Sequence, residues 1–123
     1  MPIKRNKKAI GAEGERVAAE FLLGKGYNLL ERNYRNRLGE LDIIADKGDT
    51  LVFVEVKTRL GTGYGRPGAS VDWRKQKKII MMAQAYVQDK AMYERHCRFD
   101  VVEVMPVPNG GFSINHVEGA FEA

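Results

Sequence analysis

Hydrophobic positions recur along this chain with two different periods, which predict two helices and five strands. Apolar residues at helical spacing mark the helices, and runs in which apolar and polar residues alternate mark the strands. The predicted elements are, in chain order, a helix at residues 8–25, strands at 27–34, 40–45 and 51–59, a helix at 72–90, and strands at 98–105 and 112–117. This order predicts an α/β domain with a central mixed β-sheet flanked by helices.

A β-hairpin in the middle of the chain carries the clearest chemical signal. Residues 46–50 (DKGDT) are rich in turn formers and join the second and third strands. Successive side chains of a strand point to opposite faces. One face of the third strand therefore carries valines, and the other face carries Leu51, Phe53, Glu55 and Lys57. Such a strand is apolar on both faces at its start, which indicates burial, and a buried carboxylate needs a partner.

The register of this hairpin predicts which side chains meet. With a loop at residues 47–50, Ile44 lies opposite Phe53 as a core pair, and Asp42 lies opposite Glu55. Two carboxylates that face each other across a sheet repel. A divalent cation between them would make the arrangement favourable, and carboxylate oxygens are the ligands that Mg²⁺ prefers.

A salt bridge is the structural alternative to a metal site. Lys57 would pair with Glu55, or with Glu40, which the same register places opposite it. Glu-X-Lys is a short motif, so both interpretations remain open on the hairpin alone.

Composition excludes some classes of protein but does not select a single class. The chain has 123 residues, which suits one domain spanning residues 1–123, and we expect the basic segment 1–7 to be flexible. Its formal charge of +4 is compatible with a polyanionic partner. The sequence has one cysteine and no apolar run as long as a membrane span or a signal peptide, so we expect a cytoplasmic protein.

The second helix begins with a dense group of cations next to an inward-facing amide. The cations, predicted to fan out over the polar sides, are Arg74, Lys75, Lys77 and Lys78. Gln76 falls in the apolar stripe, where it needs a hydrogen-bond partner from nearby backbone or from the hairpin site. The cations form either a solvated face or, with Arg59 and Arg66, a phosphate-binding surface. Residues 60–70 form a glycine-rich segment between Arg59 and the second helix, and they are predicted to be a loop that can close over a substrate.

Several segments carry a resemblance to a known family. Residues 39–45 (GELDIIA) and 52–59 (VFVEVKTR) resemble the hairpin of the PD-(D/E)XK superfamily of restriction-endonuclease-like proteins. Residues 11–15 (GAEGE), 26–27 (GY) and 33–35 (NYR) narrow this resemblance to the bacterial YraN family. Archaeal Holliday-junction resolvases share the layout of a helix glutamate, an aspartate and a Glu-X-Lys. The resemblance implies a restriction-endonuclease-like fold for most of the chain.

The resemblance also implies a role for each matching residue. Asp42 and Glu55 are similar to the metal ligands of the superfamily, and Glu15 is similar to a helix glutamate at the metal site, where it could hold a metal-bound water. Lys57 resembles the lysine that orients or deprotonates the attacking water. Gln76, with the preceding lysine, resembles a Lys-Gln pair that could reach the scissile phosphate.

The leading interpretation is therefore a DNA endonuclease dependent on Mg²⁺ or Mn²⁺, with branched or structured DNA as the expected substrate. Symmetric cutting of a junction would require a homodimer. A non-catalytic nucleic-acid-binding module that retains the fold is the alternative, and an adaptor that acts through protein contacts is a third interpretation.

Overall fold

The computed structural model describes residues 7–59 and 71–123. Its helices are α1 (Lys7–Gly24) and α2 (Trp73–Asp89), and its strands are β1 (Asn28–Asn36), β2 (Gly39–Lys47), β3 (Thr50–Thr58), β4 (His96–Pro106) and β5 (Phe112–Phe121). The predicted order of elements is confirmed. The bounds differ most at β5, which the sequence predicted to end at residue 117. The predicted loop at 60–70 and residues 1–6 lie outside the described residues, and Lys7 already belongs to α1.

The strands form one sheet in the order β1-β2-β3-β4-β5. Neighbouring strands are antiparallel, except that β3 and β4 run parallel. The sheet is therefore mixed, as predicted. Parallel neighbours require a crossover connection, and α2 lies in the segment between β3 and β4. No helix in the described ranges is long and apolar enough to cross a membrane.

The two helices cover opposite faces of the sheet, and each face has its own hydrophobic cluster. The cluster on the α1 face includes Ala18, Leu22, Ile43, Val54 and Val102. The cluster on the α2 face includes Ile44, Phe53, Ile79, Tyr86 and Val101. Side chains of β3 alternate between the two clusters, so this strand is buried on both sides, as its apolar pattern predicted.

Helix α1 approaches the end of β3 very closely at a glycine. A Cβ atom built on Gly14 would collide with Oγ1 of Thr58, whereas one built on Gly11 would meet nothing within 4 Å. Gly14 therefore permits a helix-to-strand approach that a larger residue would prevent. The close approach of α1 to β3 therefore depends on Gly14 and not on Gly11.

A buried charge network joins β4 to β5. Asp100 is fully buried and receives hydrogen bonds from Arg98 at 2.8 Å and from the backbone N–H of Gly119 at 3.0 Å. Nε2 of His116 lies 2.7 Å from Oδ2 of the same carboxylate. Burial alone would raise the pKa of Asp100, but the hydrogen bonds from His116 and Arg98 lower it below its ordinary value. This acid interrupts an apolar strand, a signal that the sequence-based predictions did not use.

Candidate functional site

The β2–β3 hairpin has the predicted register where its backbone forms a ladder. Ile44 pairs with Phe53, as expected from their role as a core pair. The turn is tighter than predicted, because the ladder continues to Lys47 and Thr50. Gly48 in this turn has a φ of 59°, a left-handed conformation that glycine adopts without steric cost.

The ladder stops before it reaches Asp42, and this break shapes the site. Its last pair is Ile43 with Val54. Beyond that pair, Oδ2 of Asp42 accepts a hydrogen bond of 2.8 Å from the backbone N–H of Val56. The carboxylate thus takes the position of an acceptor that the neighbouring strand would otherwise supply. The predicted ladder does not extend to Asp42 and Glu55.

The predicted opposition of Glu40 and Lys57 is replaced by two other contacts. Glu40 pairs with Arg35 of β1 at 3.1 Å. Lys57 lies 3.9 Å from Glu55 on its own strand and is the cross-strand neighbour of Glu103 on β4. One form of the salt bridge that the sequence left open, Lys57 with Glu55, is therefore present.

Glu55 is buried, and a lysine from α2 supplies its closest ion pair. Its side chain is 5% exposed, and Nζ of Lys75 lies 2.9 Å from its Oε1. The helical projection had grouped Lys75 with the outward cations, and this prediction was wrong. Lys75 lies one helical turn before Ile79, on the face of α2 that packs against the sheet. Burial lowers the pKa of Lys75, but the hydrogen bond and the charge of Glu55 together outweigh burial and raise this pKa above its ordinary value.

Asp42 titrates near neutrality because it is half-buried among other acids. Burial raises its pKa most, and the negative charges of Glu55 and Glu15 raise it further. The hydrogen bond from Val56 and the charge of Lys75 lower it, and the net result is a pKa of about 7. The acids of the site therefore outnumber the lysines that could neutralise them. A cation-binding role for these acids stays a prediction.

Glu15 of α1 lies close enough to Asp42 for its negative charge to raise the pKa of that residue. Glu15 is half-buried, and Asn33 of β1 lies beside it with a φ of 52°. In the amide orientation that satisfies its neighbours, the Asn33 nitrogen donates to Oε2 of Glu15 at 3.1 Å and to Oε1 of Glu40 at 3.2 Å. Asn33 thus positions the helix glutamate. The sequence-based predictions missed this role, although asparagine is a common residue in left-handed conformations.

The sequence left two hydrogen-bond partners open for Gln76, nearby backbone or the hairpin site, and the structure shows the backbone contact. Nε2 of Gln76 donates a hydrogen bond of 2.9 Å to the backbone carbonyl of Val71. Asp72 is the N-cap of α2, and its side chain accepts a hydrogen bond of 2.9 Å from the backbone N–H of Lys75. These contacts fix the first turn of the helix. A direct role of Gln76 at a phosphate stays a prediction.

The predicted phosphate-binding cations other than Lys75 divide into three groups. Arg74, Lys77 and Lys78 are exposed at the start of α2. Arg59 is instead paired with Glu103 at 2.7 Å, and its side chain is 12% exposed. Arg66 lies outside the described residues. Of these cations, only the first group presents its charges openly to solvent within the described part of the chain.

Glu103 is a buried acid that the sequence-based predictions overlooked. It is 5% exposed and accepts hydrogen bonds from Arg59 at 2.7 Å and from Asn115 of β5 at 2.9 Å. Because Glu103 neighbours Lys57 across the β3–β4 pair, it extends the charged site onto a further strand of the sheet. Its signal was a glutamate between two valines, the same pattern that marked Glu55.

The donor groups offer oxygen ligands but do not form a closed ligand shell. Within residues 7–59 and 71–123, no three His, Cys, Asp or Glu side chains are gathered into a metal-binding cluster. The negative charges of Glu55 and Glu15 nevertheless raise the pKa of Asp42, so the three acids lie within electrostatic reach of one another. Carboxylate oxygens of this kind fit a hard divalent cation. Lys75 would compete with such a cation for the same oxygen of Glu55.

The mixed sheet with a helix on each face, and the acids and lysines at the end of its central hairpin, define an α/β protein of restriction-endonuclease-like arrangement. A family model described as "Uncharacterised protein family UPF0102" matches residues 14–104. The chain belongs to this family, which is the YraN family that its motifs resemble.

Related proteins of the same family align along nearly their whole length. The UPF0102 protein STH1475 of Symbiobacterium thermophilum is 46% identical over 116 residues, covering 94% of this chain and 98% of the relative. A UPF0102 protein of Alkaliphilus oremlandii is 48% identical over 118 residues, covering 94% of this chain and 99% of the relative. The region matched by the family model contains Glu15, Asp42, Glu55 and Lys57.

Proposed function

We propose that this protein is a metal-dependent endonuclease that hydrolyses phosphodiester bonds of branched or structured DNA. The observation that carries the proposal is the group of three acids around the end of the β2–β3 hairpin. Asp42 has its pKa raised to about 7 by burial and by Glu55 and Glu15, and Lys57 lies 3.9 Å from Glu55. Acids crowded in this way disfavour one another's charge, and a bound Mg²⁺ or Mn²⁺ would remove that penalty.

The residues of the chain fit distinct parts of such a reaction. Asp42, Glu55 and Glu15 would hold the divalent cation through carboxylate oxygens. When bound, the cation would lower the pKa of a water molecule and offset charge that grows on the phosphate. The side chain of Lys57 is 31% exposed, so its ammonium can donate to a phosphate oxygen or orient the water. Gln76, one residue after Lys75, is our proposed further contact to the phosphate.

Exposed cations beside the site suit a polyanionic substrate. Arg74, Lys77 and Lys78 lie on the first turns of α2, next to the lysine that contacts Glu55. Such contacts to phosphate position a nucleic acid without reading its sequence. We therefore favour recognition of DNA shape, and a homodimer if both strands of a junction are cut symmetrically.

We place this activity in the cytoplasm. Cys97 is the only cysteine of the sequence, so the chain forms no internal disulfide, which suits a reducing compartment.

A non-catalytic nucleic-acid-binding module is the second candidate, and one observation favours it. Lys75 and Lys57 lie 2.9 Å and 3.9 Å from Glu55, so the buried acid has countercharges from the chain itself. A protein of this kind would use the same exposed cations to bind DNA and would need no metal.

A cleavage assay separates the two candidates. The full chain is incubated with a four-way junction, a flap, a single strand and a linear duplex, each with Mg²⁺, Mn²⁺ or EDTA. The endonuclease predicts metal-dependent cleavage of at least one structured substrate and its loss in Glu55→Gln and in Lys57→Met. Matched controls are Glu20→Gln and Lys90→Met, because both residues are exposed and neither is among the residues assigned to the site.

The outcomes distinguish failure of the function from failure of the site. DNA binding without cleavage on every substrate and metal supports the binding module and rejects the endonuclease. Cleavage that survives both Glu55→Gln and Lys57→Met would instead reject the assigned site.

A further inference from the structure

Trp73, the first residue of α2, is an aromatic side chain that the fold leaves in solvent. Its side chain is 65% exposed, although tryptophan is one of the side chains that gains most from burial. Tyr93 has a similar exposed fraction, 67%, but its hydroxyl donates to the backbone carbonyl of Gln88 near the other end of α2. The exposure of Trp73 therefore coincides with the end of the helix that carries the charged site.

The helix turn that carries Trp73 is fixed to the site by several contacts. Lys75 reaches Glu55 at 2.9 Å, and Asp72 caps the helix through the backbone N–H of Lys75. Gln76 holds the preceding segment through the carbonyl of Val71, which is 3% exposed. These contacts fix the position of the helix turn from which Trp73 projects.

The geometry of a helix sets the direction of the indole relative to the site. Residues two apart in an α-helix differ by about 200° around the axis and by about 3 Å along it. Lys75 points to the sheet, so Trp73 points away from it, across a helix about 10 Å wide. This width corresponds to about three steps of stacked bases at 3.4 Å each. A DNA strand that passes the hairpin acids can therefore reach the indole within a few nucleotides.

Lys77 completes the surface around the indole. Its Nζ lies 4.0 Å from the centroid of the Trp73 ring, in a cation–π arrangement. The ammonium lies over one face of the ring, so a base would stack on the opposite face. Arg74 and Lys78 are exposed on the same helical turns. An exposed aromatic ring with cations around it is the combination that binds a nucleobase together with its phosphate.

We infer that Trp73 is a stacking surface for an unpaired nucleobase, so that the preferred substrate carries unpaired bases a few nucleotides from the cleaved phosphodiester. The inference rests on the proposed function, because it assumes that the site binds DNA. Fully paired DNA keeps its bases stacked inside the duplex and offers none to the ring. Single strands, gaps, bulges and open branch points expose them.

The single tryptophan makes the test direct, because the intrinsic tryptophan fluorescence of the chain comes from Trp73 alone. The full chain is titrated with a single strand, a duplex with a three-nucleotide bulge, and a fully paired duplex of equal length. The titrations use EDTA, and Mg²⁺ in a Lys57→Met background, so that the DNA stays intact. We expect quenching of the emission by the first two ligands and little quenching by the paired duplex.

Substitutions measure the contribution of the ring by an independent method, such as the anisotropy of labelled DNA. Trp73→Ala is expected to weaken binding of the single strand and the bulged duplex by about 5- to 150-fold, as for the loss of one stacked base, and to change duplex binding less than about twofold. Trp73→Phe should recover part of the affinity, and Trp73→Leu should not. Tyr93→Ala is the matched control for an equally exposed aromatic residue far from the site.

Each contrary result overturns a distinct statement. Equal quenching by paired and unpaired DNA, or unchanged affinity in Trp73→Ala, would reject the stacking surface while leaving the endonuclease intact. A change of oligomeric state in Trp73→Ala without a change in DNA binding would make the residue a protein contact and would also reject it. A wild-type chain that binds none of the DNA ligands would reject the proposed function itself.

Discussion

Lys75 and Glu55 form an ion pair of 2.9 Å between the first turn of α2 and the buried end of β3. Glu55 is buried, and the helix that packs on this face of the sheet also supplies its countercharge. The contact also defines a competition, because the oxygen that accepts from Lys75 is one of those proposed to bind a divalent cation.

Removal of this lysine should make metal binding and stability interdependent. In EDTA, Lys75→Met is expected to lower the free energy of unfolding by about 1–2 kcal/mol. This is less than the roughly 3–5 kcal/mol for a fully buried pair, because Lys75 is 42% exposed. Millimolar Mg²⁺ should restore part of the loss, and Mg²⁺ should bind more tightly than to wild type. Urea unfolding and calorimetric titration measure the two effects.

Lys90→Met is the control for that experiment, because Lys90 is exposed at the other end of α2. Equal Mg²⁺ affinity in wild type and Lys75→Met would contradict the idea that lysine and cation share one acceptor.

Asp42 predicts a dependence of stability on pH. Its pKa is about 7 in the folded protein, whereas an unperturbed aspartate has a pKa of 3.8, so folding favours the protonated form. The stabilising contribution of that form is complete below pH 3.8 and is lost as the pH rises through about 7. In EDTA, Asp42→Asn should therefore become more stable relative to wild type between pH 5 and pH 8, by about 2 kcal/mol.

Urea unfolding across this pH range tests the assignment. Asparagine keeps an oxygen for the Val56 N–H but cannot ionise, so the comparison isolates the charge. Parallel stability curves for the two proteins would show that Asp42 is already ionised at pH 5. Mg²⁺ should reduce the pH dependence of wild type and leave that of Asp42→Asn nearly unchanged.

The sequence predicted most of the β2–β3 hairpin but fewer of the contacts that surround it. Ile44 and Phe53 predicted the register because a shift of one residue would turn the whole apolar set to the wrong face. The same reasoning could not detect the break at Asp42, where a side chain replaces a backbone acceptor. The helical projection of α2 also misplaced Lys75, because a lysine on an inward face is favourable only when a buried acid lies opposite it. That acid, Glu55, lies on a different element.

Gly14→Ala tests the close approach of α1 to β3. The new Cβ would collide with the Thr58 hydroxyl, so we expect a loss of about 1–3 kcal/mol in stability, as for overpacking of a core. Gly11→Ala is the matched control on the same helix. It meets nothing within 4 Å and should stabilise the helix by about 0.5–1 kcal/mol.

A double substitution shows whether Thr58 is the cause. Gly14→Ala combined with Thr58→Ala should recover part of the lost stability in a double-mutant cycle, because the colliding oxygen is removed. Strict additivity of the two changes would mean that α1 moves away from β3 without strain.

Asp100 gives a second pH prediction, of opposite sign. Burial tends to raise its pKa, but hydrogen bonds from His116, Arg98 and Gly119 hold it below 3.8. The ionised form therefore contributes stability that is present above pH 3.8. This contribution is lost as the pH falls through the lower pKa that Asp100 has in the folded protein. Asp100→Asn should cost about 3–5 kcal/mol at pH 7, and the cost should shrink below pH 3.8. Denaturant unfolding of wild type and Asp100→Asn at pH 7 and below pH 3.8 measures the two costs. An equal cost under the two conditions would contradict the prediction.

The parallel pairing of β3 and β4 has a consequence for how the chain assembles. The β2–β3 hairpin is local, whereas the parallel pair joins residues as distant as Thr50 and His96, so we expect the hairpin to form first. Until α2 docks, water solvates Glu55. Because α2 carries Lys75, we expect docking of the helix to displace that water and to supply the countercharge of Glu55 in one step. Lys75→Met should then accelerate unfolding more than it slows refolding in stopped-flow measurements.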